Sequence, residues 1–172
     1  MEAAEIRQGD RLIRIEKAEG GWKITGPKPV AADRDMVEQF LSRFTGLKIQ
    51  EFTTDVLTEA EKFGLGERAA SVRLLGKPVE KGKEAPVLAE VRIGDRSPKK
   101  TLRYVKRSDE SSVYGVSEED ARFIPSSVLD LRDRVFLTIS KDAVREVRLK
   151  TARKEIIATR GEKGDWVSEG AI

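Results

Sequence analysis

The chain has 172 residues, 33 of them Lys or Arg and 30 Asp or Glu, for a formal charge of +3, with 38% hydrophobic and 37% charged residues. That length suits one ordinary domain, or one domain plus part of another, and permits a real core without staples. Cys, His and Asn are all absent, which removes disulfides, thiolate nucleophiles, histidine bases and N-glycosylation acceptors.

In chain order, "RLIRIEK" (11–17) alternates, with Ile13 and Ile15 on one side. A Gly20-Gly21 turn leads into "WKIT", where Trp22 and Ile24 share a face, and together these stretches read as a hairpin buried on one side. Pro27 and Pro29 mark a loop. Met36, Val37, Phe40, Leu41, Phe44 and Leu47 then recur at helical spacing, with Asp33 as cap and Gly46 as stop. "KIQEFTTD" (48–55) reads as a strand. A short second helix is expected from a Thr58/Glu61 capping box to the Gly64 stop.

Strands follow at "ASVRLLG" (70–76), "VLAEVRIG" (87–94), "KTLRYVKR" (100–107) and "SVYGV" (112–116), an antiparallel meander with charged turns. A third short helix is expected from Ser117, with Asp120 as the acid of its capping box, and Pro125 opens a last turn. After "VFLTI", the stretches "AVREVRLK" and "EIIATRG" read as strands, followed by "DWVS". The fold class is α+β: mostly antiparallel sheet, about eight or nine strands, with three short-to-medium helices.

Few motifs carry chemistry. "GLGERA" (64–69) has the glycines of a dinucleotide fingerprint, but a helix precedes and a strand follows, the reverse of what pyrophosphate binding needs. In "GKPVEKGK" (76–83) the glycine spacing is one residue too long for a phosphate loop, and Glu84 stands where a magnesium-binding hydroxyl belongs. "SDESS" (108–112) and "SEED" (117–120) lack the spacing of a calcium loop and read as a solvated turn and a helix cap. No catalytic, cofactor-binding or metal-binding residue is assigned. The candidate interaction surface is the basic strand with Lys99, Lys100, Arg103, Tyr104, Lys106 and Arg107, in which Arg and Tyr together could hold an anionic polymer, nucleic acid or lipid head group. Ordinary sheet surface, with edge lysines that prevent aggregation, is the competing reading.

The chain's end echoes its beginning. At the offset that brings Trp166 onto Trp22, Ile157 falls on Ile13, Gly164 on Gly20 and Gly170 on Gly26: four identities in the fifteen positions 12–26. This predicts a repeat unit over 1–140 and the opening strands of a truncated second copy over 141–172, packed on the first, with Trp22 and Trp166 both buried on an apolar sheet face.

The ordered stretches "GGWKITGP", "AADRDMVEQFLSRFTGL", "FGLG", "VRIGD", "LRYVKR", "SSVYGV" and "LDLRDRVF" resemble the bacterial family catalogued as domain of unknown function 4340. The resemblance spans about Leu12 to Trp166. It implies a unit carried more than once in a membrane-anchored protein, lying on the extracytoplasmic side of the cell membrane, with some members beside ABC transporters of the gliding-motility type. No catalytic residues are implied. The expectation is therefore a non-enzymatic interaction or scaffold module with protein partners at the cell envelope, soluble as this chain. The alternative is an anionic-ligand binding domain built on strand 99–107.

Overall fold

A computed structural model describes residues 1–80, 83–99 and 101–170, without side-chain detail for 169 and 170. Two compact units divide the chain, Met1–Arg134 and Val135–Ile172.

The first unit opens with the meander β1 (Ala3–Gln8), β2 (Arg11–Ala18) and β3 (Gly21–Gly26), flanked by the two-residue β4 (Val30–Ala31). Helix α1 (Arg34–Thr45) follows, then β5 (Ile49–Thr54), a 3-10 turn at Ala60–Phe63, β6 (Ala70–Leu75), β7 (Val87–Arg96), β8 (Leu102–Arg107), β9 (Val113–Ser117) and the one-turn helix α2 (Glu118–Ala121). The strands form one antiparallel sheet of nine in the order β4-β3-β2-β1-β6-β7-β8-β9-β5. The α+β class with a dominant antiparallel sheet is as the sequence predicts.

Cross-strand partners share a face, so the register traces the core. Ile13 lies opposite Ile6, Ile6 opposite Val72, Val72 opposite Val91, and Ile93 opposite Val105. Helix α1 lays Val37, Phe40, Leu41 and Phe44 on this face, and they join the isoleucines of β1–β3 in one buried cluster. The helix forms here because its apolar residues fall on one stripe and both ends are satisfied. Asp33 accepts from the Met36 amide at 3.1 Å, and the Gly46 amide returns to the Ser42 carbonyl at 3.0 Å. Met36, at the stripe's margin, is exposed.

Three local expectations need correction. The second helix is only a 3-10 turn; Glu59 occupies its N-cap position without a side-chain cap, so the Thr58/Glu61 box does not form. Gly64 does end it, in the left-handed conformation at φ 65°. In α2 the Ser117 hydroxyl accepts from the Glu119 amide, two residues on, and the acidic member of the cluster that matters is Glu118 rather than Asp120. The capping box of the region sits later, where Ser127 and Asp130 close a 3-10 turn over Val128–Asp130.

The opposite face of the sheet is covered by the segment around Phe63. Leu65 is buried there, and the Phe63 ring meets Tyr104 edge-on at 5.1 Å. The close approach depends on Gly94: a Cβ at that position would lie 2.0 Å from the Phe63 carbonyl oxygen and 3.0 Å from Leu65 Cγ. Gly94→Ala is expected to destabilise the unit by about 1–3 kcal/mol, because backbone rather than a flexible side chain must give way. Thermal melting checks this, and an unchanged midpoint would contradict the packing.

The second unit holds β10 (Glu146–Lys150), β11 (Glu155–Arg160) and β12 (Trp166–Gly170), an antiparallel sheet in that order. Its β10–β11 pairing follows that of β1–β2 residue by residue, whereas the bulge of β2–β3 between Arg14 and Ile15 has no counterpart in β11–β12. Ala4↔Ile15 and Ile6↔Ile13 correspond to Val147↔Ala158 and Leu149↔Ile156, each partner displaced by 143 positions (Ile13 to Ile156). Lys17↔Trp22 corresponds to Arg160↔Trp166, so the third strand is displaced by 144 (Trp22 to Trp166). The extra residue lies in the second turn, which keeps a left-handed glycine, Gly20 at φ 84° and Gly164 at φ 85°. The structural counterpart of Ile13 is thus Ile156, not the Ile157 that the ungapped sequence alignment pairs with it.

The tryptophans do not share the burial expected of them. Trp22 is half-buried against the first core, whereas Trp166 is 45% exposed. The physical difference is the covering layer: α1 covers the face of β1–β3, and among the described residues of the second unit there is a 3-10 turn at Lys141–Ala143 but no α-helix.

Candidate functional site

Beyond the C-terminal end of α1, the same sheet face is open. A groove of about 440 Å³ runs there, with Phe44, Thr45 and Leu47 along one wall and Leu74, Ala89, Val91, Val105 and Val116 as its floor. Ile49 and Tyr114 close it toward the sheet edge, and Arg107 with Glu110 form a polar rim. The floor is apolar because it continues the core face of β6–β9 past the point where the helix stops.

The edge strand β5 shapes this site. Among the described residues it pairs only with β9, and its register slips between Ile49 and Glu51. Ile49 lies opposite Val116 and Phe52 opposite Tyr114, so the irregularity sets two apolar side chains three residues apart on the groove face. Phe52 is 75% exposed and meets Tyr114 edge-on at 5.6 Å. The Tyr114 hydroxyl donates to the Glu110 carboxylate at 3.1 Å, fixing the phenol at the rim.

The basic strand is divided by its own pleat. Arg103, Val105 and Arg107 lie on the groove face of β8, while Tyr104 and Lys106 lie on the other, Tyr104 packed on Phe63. Lys99 is exposed in the turn before the strand, and Lys100 lies outside the described residues. Arg107 donates to Asp109 at 3.0 and 2.5 Å and is 3.7 Å from Glu110. The Asp109 hydrogen bond raises the Arg107 guanidinium, and Arg107 in turn lowers the Asp109 carboxyl. Lys106 donates to the carbonyls of Arg107 and Glu110.

Arg103 is spent on Glu118. That carboxylate is 4% exposed and receives Arg103 through two bonds of 2.9 and 3.1 Å, Arg96 at 2.7 Å and Arg122 at 3.7 Å. Burial pushes the Glu118 carboxyl up, but the Arg103 bond and charge and the Arg96 charge outweigh it, and the group is held below the ordinary glutamate range. The sequence places Glu118 in a helix cap; in the structure it is also the buried hub that ties α2 to β7 and β8. Its bland appearance in "SEED" gave no signal of this, since the arginines arrive from other strands.

At "GLGERA" the Glu61 carboxylate lies against Gly66, and a Cβ at Gly66 would be 2.1 Å from its oxygen. Among the described residues no group of three or more acidic side chains is placed to hold a metal ion, and no helix is long and apolar enough to cross a membrane.

Sheet, groove and repeated meander define the class: an α+β module built on one large antiparallel sheet, with an apolar groove at its β5 edge. The chain belongs to the family described as domain of unknown function DUF4340, whose model matches residues 22–171. No curated protein matches the chain. No solved structure matches it either.

Proposed function

We propose that this chain is a non-enzymatic interaction module of a membrane-anchored bacterial protein, on the extracytoplasmic side of the membrane, auxiliary to an ABC-type export or gliding-motility system. The groove beside β5 is the binding surface, and its occupant is an extended apolar segment of a partner protein. The observation that carries this reading is the pairing of an unpaired strand edge with two groove-facing apolar side chains, Ile49 and Phe52. An added strand gains main-chain hydrogen bonds from the edge, and alternate side chains enter the groove. Natural edges usually carry charge or Pro to discourage such pairing, so an exposed phenylalanine here is a cost that binding would offset. The anionic-ligand reading of strand 99–107 has less support, because Arg103 and Arg107 are already neutralised by Glu118, Asp109 and Glu110.

The test is to place a negative charge on this apolar surface. Phe52→Glu and Ile49→Glu in the membrane-anchored protein are expected to weaken partner capture by about 30-fold or more, the loss of one hot-spot anchor. Thermal stability should stay within about 0.5 kcal/mol, as for other exposed positions. Capture that survives both substitutions would remove the groove from the account.

A further inference from the structure

The outer edge of β5 is unpaired among the described residues, and its side chains are spaced unevenly. Ile49 and Phe52 both stand on the groove face, opposite Val116 and Tyr114, whereas Glu51, opposite Gly115, stands on the other. A regular strand sets same-face side chains an even number of residues apart; the slip after Ile49 sets these two three apart. Lys48, Gln50, Glu51 and Asp55 are all exposed. The Thr53 hydroxyl donates to the Glu51 carboxylate at 3.3 Å, and Lys48, Glu51 and Asp55 form no ion pair among the described residues.

We infer that the β5 edge docks β5 of a second copy of this chain, antiparallel about a two-fold axis. This rests on the reading of β5 as a binding edge and names its partner. The uneven spacing selects that partner, because a strand that matches it face for face must carry the same slip. In the register that sets Ile49 opposite Phe52 of the second copy, symmetry sets Phe52 opposite the other Ile49, and all four side chains lie on the groove face. Phe52, 75% exposed in the single chain, then covers the isoleucine that closes the groove of the second copy. The same register puts Lys48 opposite Thr53 and diagonal to both Glu51 and Asp55 of the second copy, within reach of their carboxylates. The two-fold axis repeats that contact. No like charges fall directly opposite, since Glu51 faces Gln50 on either side of the axis. Such an isologous contact uses up the exposed edge and stops at two copies. It is smaller than a standard interface, so the pairing is weak and concentration-dependent.

The test is sedimentation of the chain across a concentration series, with charge variants at the three exposed positions. The wild-type chain should approach twice its monomer mass as concentration rises. Lys48→Glu makes all three charges of the edge acidic, and Glu51→Lys combined with Asp55→Lys makes all three basic. Each variant alone should dimerise at least about tenfold more weakly. An equimolar mixture of the two should restore the dimer, because lysines again meet carboxylates across the seam. Circular dichroism should show every variant folded, since the positions are exposed. A benzophenone side chain in place of Phe52 should join two chains at the segment bearing Ile49. A wild-type chain that stays monomeric, or a mixture that associates no better than its components, overturns the inference. If either result comes with a discrete position-52 adduct to a different protein in cells, the groove reading stands and only the second copy falls. If position 52 yields no adduct at all, both fall.

Discussion

Glu118→Gln should lower the stability of the first unit by about 3 kcal/mol, the cost of removing one partner from a buried ion pair. The loss comes less from the bonds themselves than from what remains. Arg103, three-quarters buried, keeps the Gly94 carbonyl at 3.2 Å and one amide oxygen at 118, but loses the countercharge and its second acceptor, because an amide NH₂ cannot accept from a guanidinium. Urea melts of wild type and variant measure the difference. The pH dependence follows from the depressed carboxyl of Glu118. A group whose folded pKa lies below its unfolded value contributes fully above the unfolded value and loses that contribution as pH falls through the folded one. Stability attributable to Glu118 should therefore be flat above the ordinary glutamate range near 4.3 and fall below it. The glutamine variant should lack that part of the acid slope. Equal slopes in both proteins would show that the cluster is not linked to folding.

Phe40→Ala is expected to cost about 3–5 kcal/mol, a large share of the 5–15 kcal/mol that holds an ordinary domain together. Phe40 is 2% exposed at the centre of the α1 stripe, with the Phe44 ring 5.9 Å away. Its neighbours are held in sheet register by the β1–β3 ladder and cannot close the cavity without breaking strand pairing. Phe40→Leu should recover much of the loss by refilling the volume. A midpoint unchanged by Phe40→Ala would mean that α1 does not close the core.

Local patterns carried much of the fold. The stripe from Val37 to Phe44, the alternation of Ile13 and Ile15, and the glycine turns all express contacts within a few residues, so helix α1 and the opening hairpin were readable. What lay beyond reach depends on distant partners. Strand β1 is marked only by Ala3, Ala4 and Ile6, too weak an alternation to stand out, yet it sits at the middle of the sheet between β2 and β6. The strand expected at β5 forms, but nothing local places it beside β9 at the far edge, where Ile49 lines the groove and Phe52 stands against Tyr114. Glu118 has the same explanation, because its three arginines come from β7, β8 and the residue after α2. The one-residue slip in the turn of the second meander becomes visible only through hydrogen-bonded register.

The most direct measurement of the central claim is photocrosslinking from position 52 in the full-length protein in its own cells, with a benzophenone side chain in place of Phe52. Position 68, an exposed arginine in the loop before β6, serves as the control. The groove reading predicts one discrete covalent adduct with an envelope protein from position 52, competed by an excess of the unlabelled module, and none from position 68. No adduct from position 52, or the same products from both positions, would contradict it.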